Sequence, residues 1–568
     1  MGKMARADMA GLIREPGVKP VVRGKAAVAS SDNGIVTQTM LNVMAEGGTA
    51  IDAGIAAVLL QGTIAPHMTN LGGTVTLLYY EAATGTLHQM ICTGMFPPGL
   101  PAMQIVPPGL GGFYSYPWGA PFALIPGVMP ALKEIHARFA TLPWRRLIED
   151  ARYWAEEGHP VSAFEYGVRV QGLPFTNYLP DGREMLLPDG FVVPAGHRFR
   201  NPALAKTLAR LADEGPDDFI SGQWARNFVQ RANALGWPIE LSHMAFNAPR
   251  WGEASRFTFK GYEVRQLMLP HRQGVFCALV MGILSALGIE DMQPGSADAI
   301  YWMAQVLRWA DCELSNVNDP EFFDVPDEQW FDPDFHRRAA RVIASVRPRI
   351  DLSEHVLATM GTVARAAAGI GPSPQPPSGS CELSVVDSHG NWVQMMNTLQ
   401  TGGIPGAVVD GVAMVGGNLS VGGMFSPFSG WLLPGCRERF CLPQTMLMRD
   451  GRPQMSFGSP GNIHHSIVQV LSNILLFGME PPDAATAPRM LGISDTNVLP
   501  IEDRLSPEAR EGLLRLGVRV APLDPFDWHM GSYQMSWRDA SSGLMNSFAD
   551  YRRAGVAGGI DESEIVLQ

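Results

Sequence analysis

Ser380, Cys381 and Glu382 set a hydroxyl, a thiol and a carboxylate side by side in "PPSGSCELSVVDSHGNWVQ", residues 376–394. Two of these are nucleophile types and the third can move a proton. Their surroundings are unusual for a reactive group. The stretch just before them, "AAAGIGPSPQPPSG" (366–379), is the one low-complexity segment of the chain, and its Pro and Gly content predicts an exposed, mobile joint. From Ser380 the pattern alternates and ends in Val385 and Val386, a strand. Asp387 to Asn391 read as a turn, and "WVQMMNTLQ" reads as a second strand antiparallel to the first. An exposed loop thus leads straight into a strand that opens on reactive side chains.

The elements that must position them lie on both sides of this joint. A strand is predicted at 26–30, then helical segments through about residue 65, broken at Gly47 and Gly48. "GGTVTLLYYEAATGTLHQMI" reads as a hairpin turning at Ala83, Thr84 and Gly85. Helices are predicted at about 128–158 and 202–235, a strand–turn–helix at 256–287, and a long helix near 297–314. The plan is a region 1–379 that ends in the Pro/Gly-rich linker and a region 380–568 that starts with the strand of Ser380.

Bulk properties narrow the function. The chain has 568 residues, 17% charged and 46% hydrophobic, which suits a compact body with a large interior. A formal charge of −12 without a dense basic run argues against a nucleic-acid partner. The longest apolar run, "VFCALVMGIL" (275–284), is too short to span a bilayer, and the first twenty residues do not read as a signal peptide, so no membrane partner is expected. Six cysteines at 92, 277, 312, 381, 436 and 441 are dispersed, as in a reducing compartment, and a cytoplasmic location is expected. Cys436 and Cys441 do not have the spacing of a zinc knuckle. Adjacent His464 and His465 in a helix should point about 100° apart, too divergent to share an ion, so neither a metal nor another cofactor is expected.

Several stretches, in colinear order from about residue 25 to 550, resemble the gamma-glutamyltranspeptidase family. They are "EGGTAIDAGIAAVLLQGTIAPHMTNLGG" (46–73), "IPGVMPALKEIHARFATLPWRRLIEDARYWAEEGHPVS" (125–162), "FKGYEVRQLMLPHRQGV" (259–275), "NDPEFFDVP" (318–326), "SCELSVVDSHGNWVQMMNTLQ" (380–400) and "SFGSPGNIHHSIVQVL" (456–471). The resemblance implies an α+β fold, the four-layer αββα sandwich of N-terminal-nucleophile hydrolases. It also implies a precursor that cuts itself into a large and a small fragment that stay associated. The new terminal residue of the small fragment is then the nucleophile, which here is Ser380, with cleavage after Gly379.

The chemistry of such a residue is self-sufficient. A free α-amino group, with an ordinary pKa of about 7.7–8, can act as base for the hydroxyl on its own residue. Gly379, lacking Cβ, leaves room for Ser380 Oγ to attack the preceding carbonyl. Cys381 is the intrinsically better nucleophile, but starting there would slip the strand by one residue and turn every side chain to the other face. Glu382 stands where the family has His. By the same resemblance Thr398 supports the nucleophile, Gln400 contacts substrate, and backbone N–H groups at Gly461 and Asn462, in the turn before an apolar helix, receive the oxyanion.

The pattern departs from the family where the glutamyl head group is held. Thr93 stands in place of the family's carboxylate-binding Arg, 416–425 lacks the acidic pair, and Phe440 and Cys441 replace its Ser-Ser pair. A zwitterion without charged partners is poorly held in a desolvated pocket. Arg437 and Arg439, in "PGCRERFC", offer a replacement anion contact. The reading is therefore an amidohydrolase or acyltransferase acting through a seryl acyl-enzyme, on a small-molecule amide with water or an amine as acceptor. The substrate is expected not to be a typical γ-glutamyl compound. The alternatives are a true glutathione hydrolase with a rebuilt carboxylate site and an uncut, non-catalytic binding homologue.

Overall fold

The computed structural model describes residues 3–95, 98, 104–105, 114–115, 124–173, 179–235, 239–314, 317–325, 327–345, 379–399, 406–414, 435, 437, 442–461, 463–493, 497–561 and 564–567. Two large sheets dominate. One has eight strands in the order Glu564–Leu567, Val556–Asp561, Ala27–Ser31, Ser380–Val386, Trp392–Thr398, Thr74–Glu81, Thr86–Cys92, Arg250–Gly252. The other has seven, in the order Val22–Gly24, Met545–Ala549, Gln534–Arg538, Arg452–Gly458, Thr445–Arg449, Tyr262–Gln266, Ser255–Phe259. All pairings within the two sheets are antiparallel. Each sheet contains strands from before residue 379 and strands from 380 onward, paired side by side.

Three apolar layers make this a four-layer αββα sandwich. Helices Gly34–Ala45 and Ala50–Ile64 pack on the eight-stranded sheet through Leu383, Val385, Val393 and Met395. Helices Gln273–Ala286, Ala297–Glu313 and Ile463–Leu475 cover the seven-stranded sheet through Val264, Leu447 and Phe457. Between the sheets lie Val28, Leu78, Val386, Trp392, Met396 and Met446. The strand of Ser380 is buried on both faces, which explains its mixed alternation. Leu383 and Val385 meet the helices, whereas Val386 faces the second sheet. On that inner face Ser384 Oγ donates to Ser536 Oγ at 2.9 Å and lies 3.1 Å from Ser456 Oγ, so three hydroxyls bridge the sheets.

Local chemistry fixes the strand against its helix. Ala50–Ile64 is apolar all round and fully buried, as a central helix must be. Thr49 caps it in a reciprocal box with Asp52. Gly54 lets the helix approach closely at the crossing, since a Cβ there would stand 2.8 Å from Met395 Sδ. The predicted hairpins at 74–92 and 380–398 and the helices at 128–139, 144–157, 202–214, 223–234 and 297–313 are present. The 256–287 stretch holds one more strand than expected, because Ser255–Phe259 and Tyr262–Gln266 form a hairpin before the helix. Of the 366–379 linker, only Gly379 is among the described residues.

Candidate active site

Ser380 begins an interior strand and pairs directly with Thr398 on the next. Ser380 Oγ donates to Thr398 Oγ1 at 2.9 Å, and Thr398 Oγ1 donates to the carbonyl oxygen of Gly379 at 2.8 Å. Both side chains are buried. The hydroxyl of Ser380 is therefore joined through Thr398 to the carbonyl of the Gly379–Ser380 bond. Gly379 itself is wedged: a Cβ there would lie 2.6 Å from Met68 Cα and 2.9 Å from the His67 carbonyl oxygen. The close approach of the 67–68 backbone admits no side chain.

Charged groups from distant parts of the chain converge on the same strand end. Arg553 Nη1 donates to the Ser380 carbonyl at 3.4 Å and Nε to the Trp528 carbonyl at 3.2 Å. Asp32 accepts the Glu382 N–H at 2.8 Å and Gln534 Nε2 at 3.3 Å. Burial pushes the Asp32 carboxyl up to about 6, against the pull of Arg553. Burial also drives Glu382 well above the usual carboxylate range, despite a 2.6 Å hydrogen bond from Gln394 Nε2. Burial thus favours the neutral acid of Glu382 over its carboxylate. Burial raises the Cys381 thiol too, which removes thiolate character from the rival nucleophile.

The 458–461 turn lies against this strand. A Cβ on Gly458 would stand 2.2 Å from Glu382 Oε1, so the end of the Arg452–Gly458 strand rests on the Glu382 carboxyl. Ser459 Oγ accepts the Ser532 N–H at 2.8 Å. Gly461 has φ +96, and a Cβ there would reach within 2.8 Å of the Gly531 backbone and the His529 carbonyl. Only glycine fits that left-handed, crowded position before helix Ile463–Leu475.

Thr93 follows the Thr86–Cys92 strand and is fully buried. Two residues on, Met95 bridges to both Ile125 and Arg437. The Arg437 guanidinium is buried, with Nη1 donating to Asn247 Oδ1 at 3.2 Å and Nη2 to the Ala248 carbonyl at 3.1 Å. No carboxylate pairs with it among the described residues. Gln400, Arg439, Asn462, Phe440, Cys441 and the 416–425 stretch lie outside the described residues.

Two features were not anticipated from the sequence. Asp32 and Arg553 sit 348 and 173 positions from Ser380 (380 − 32 and 553 − 380) and carry no motif that marks them; the one local signal is the Arg552-Arg553 pair entering a buried Gly-rich strand. His464 and His465 do not diverge as a helical pair should. Their rings lie 4.0 Å apart, and both reach Asp311, whose two carboxylate oxygens span the gap.

The fold matches that of a solved cephalosporin acylase from Bacillus halodurans, with a TM-score of 0.80 at 21% identity over 96% of this chain and 97% of that one. Fold and strand arrangement define a layered αββα sandwich of the N-terminal-nucleophile hydrolase type. The family model described as gamma-glutamyltranspeptidase matches residues 36–560, and the chain belongs to that family. It is accordingly an enzyme of the amide hydrolase and acyltransferase class. It is 26% identical over 563 residues to the glutathione hydrolase proenzyme of Pseudomonas aeruginosa, covering 94% of each chain. It is also 26% identical over 553 residues to the oxamate amidohydrolase proenzyme of Klebsiella pneumoniae, covering 94% of this chain and 98% of that one.

Proposed function

We propose that this chain is a proenzyme that cuts itself between Gly379 and Ser380 and then hydrolyses or transfers an acyl group through Ser380. The observation that carries the reading is the Ser380–Thr398–Gly379 relay, which joins a nucleophilic hydroxyl to the carbonyl it would attack. Ser380 Oγ adds to the Gly379 carbonyl carbon, and the C–N bond breaks to leave an ester on Oγ. Water then cleaves the ester, giving a Gly379 carboxylate and a free Ser380 amino group. That amino group takes the Oγ proton as the hydroxyl attacks a substrate amide, and later returns a proton to the leaving amine. The backbone N–H groups of Gly461 and Asn462 receive the oxyanion. Water or an amine then accepts the acyl group.

The acyl donor is an amide without the full glutamyl head group, because Thr93 supplies a hydroxyl and no charge where the family has its Arg. One observation favours a second reading, in which the amide carries a carboxylate: Arg437 is a buried guanidinium without a carboxylate partner among the described residues, and its backbone bridges to Met95, two residues after Thr93. The relatives' names include both a glutathione hydrolase and an oxamate amidohydrolase.

Two measurements test this. N-terminal sequencing of the smaller fragment should begin Ser-Cys-Glu-Leu; any other start sinks the nucleophile assignment. Then kcat/KM for glutathione is compared with that for γ-glutamyl-p-nitroanilide, oxamate and uncharged amides on fully processed protein. Glutathione as the best of the panel would overturn the main substrate reading. Oxamate as the best, with loss of that preference in Arg437→Met, would establish the second.

A further inference from the structure

Away from the Ser380 strand, three side chains have the arrangement of metal ligands. Asp311 lies in the last turn of helix Ala297–Glu313, and His464 and His465 in the first turn of Ile463–Leu475. His465 Nε2 is 2.9 Å from Asp311 Oδ2, and His464 Nε2 is 3.3 Å from Asp311 Oδ1. One ligand atom from each residue falls within 4.8 Å of the others. Ligands about 2.0–2.1 Å from a tetrahedral zinc ion stand about 3.3 Å from one another, so the two His–Asp separations already match and side-chain rotation that closes the widest gap, at most 4.8 Å, would enclose an ion.

The setting is asymmetric in a useful way. The His465 side chain is 9% exposed, whereas those of His464 and Asp311 are 32% and 34% exposed. One ligand is held by the interior and two reach solvent, which leaves an entry path and a place for water as a further ligand. Gly492 lies under the group: a Cβ there would stand 3.1 Å from Asp311 Oδ2 and 3.3 Å from His465 Cε1. Its missing side chain keeps that side of the carboxylate uncrowded. Two imidazoles select zinc, cobalt, nickel or copper over magnesium and calcium, which prefer all-oxygen shells. A helix N-terminus disfavours a cation, and Arg272 adds to that, so the Asp311 charge is the essential part.

We propose that Asp311, His464 and His465 bind one divalent transition-metal ion of the zinc class. The ion would tie the end of one helix to the start of the other, three to four residues after Gly461. This inference is independent of the role given to Ser380.

The test uses the full chain, stripped with chelator and titrated with zinc chloride by calorimetry, and separately with cobalt(II) chloride by visible absorption. The expected result is one saturable zinc site and a cobalt spectrum of tetrahedral intensity that zinc abolishes. Asp311→Asn and His465→Gln should each weaken zinc at least about 100-fold, more than the loss of an outer-shell partner costs. His389→Gln, whose side chain is 69% exposed elsewhere, should change nothing. Zinc affinity unchanged in Asp311→Asn and His465→Gln would overturn the proposal, as would a purely octahedral cobalt spectrum of the unmutated chain. The spectrum decides the matter even if both variants fail to fold.

Discussion

Thr398 Oγ1 stands between the two residues it could couple, accepting from Ser380 Oγ at 2.9 Å while donating to the Gly379 carbonyl at 2.8 Å. A hydroxyl in this position both orients the Ser380 oxygen and polarises the carbonyl. Thr398→Val keeps shape and removes both bonds. A buried hydrogen bond lost with its partner left in place costs about 1–3 kcal/mol, so self-cleavage should slow by about 5- to 150-fold. Thr398→Ser should stay near the unmutated rate. The check is a time course of the full-length band on a denaturing gel; equal rates for Val and unmutated protein would remove Thr398 from the reaction.

Gly379→Ala tests the wedge on the other side of the bond. The added methyl would meet Met68 Cα at 2.6 Å and the His67 carbonyl at 2.9 Å, and backbone cannot yield as a flexible side chain can. Residue 379 must shift, which pulls its carbonyl off Thr398. Cleavage should be at least about tenfold slower while the fold persists, as 1.4 kcal/mol is about tenfold. Cleavage at the unmutated rate would show that the close packing is irrelevant to the cut.

Asp387 holds the turn that ends the Ser380 strand. Its Oδ2 accepts the Ala50 N–H and Asn391 Nδ2, both at 2.8 Å, and its Oδ1 accepts the His389 and Asn391 N–H groups at 2.9 and 3.0 Å. A carboxylate at the start of helix Ala50–Ile64 also complements its dipole. Asp387→Ala strands several buried donors and should destabilise the chain by about 3–5 kcal/mol in denaturant unfolding. Asp387→Asn should cost less. A loss below about 0.5 kcal/mol for the Ala variant would refute the argument, being the range of an ordinary surface substitution.

Asp32 gives a pH signature of defined sign. Its carboxyl is held at about 6 in the fold against a reference of 3.8, so the folded form binds the proton more tightly. Unfolding then releases a proton between these values. The contribution of Asp32 to stability is greatest below about pH 4 and falls as pH rises through 6, by on the order of 3 kcal/mol. Asp32→Asn has no such titration. The stability difference between unmutated protein and variant should therefore change across pH 4–6 and be flat above pH 7. Parallel curves over the whole range would show that Asp32 does not titrate there.

Much of this architecture was legible because its signals are local. The two-residue alternation of 74–92 and 380–398, the helical run resuming after Gly47 and Gly48 and the Gly/Pro turn at 458–461 each lie within about twenty residues of sequence. The direction of Glu382 was not legible, since alternation gives two faces and both are buried in a sandwich. Nor were the charges behind Ser380. Asp32 and Arg553 reach the same strand end only once the Ala27–Ser31 and Val556–Asp561 strands pair, a pairing with no trace in sequence spacing. The buried group in which Arg552 forms a two-pronged contact with Glu502 while Arg489 pairs with Asp550 is silent for the same reason. The pair His464/His465 misled because helical geometry fixes where Cβ points, not where two long rings and a forked carboxylate can meet.

The pairing of early with late strands in both sheets would have a consequence for a chain cut after Gly379. The Ser380–Val386 strand takes one neighbour, Ala27–Ser31, from before the cut and the other, Trp392–Thr398, from after it. Val22–Gly24 and Met545–Ala549 repeat the arrangement in the second sheet. Two polypeptides woven in this way cannot part without dismantling both sheets at once, so dilution alone will not separate them. Once melted, however, they are two molecules, and renaturation becomes a bimolecular search that slows with dilution. Severing one peptide bond would convert a fold that can be regained into one that, at low concentration, is assembled only once.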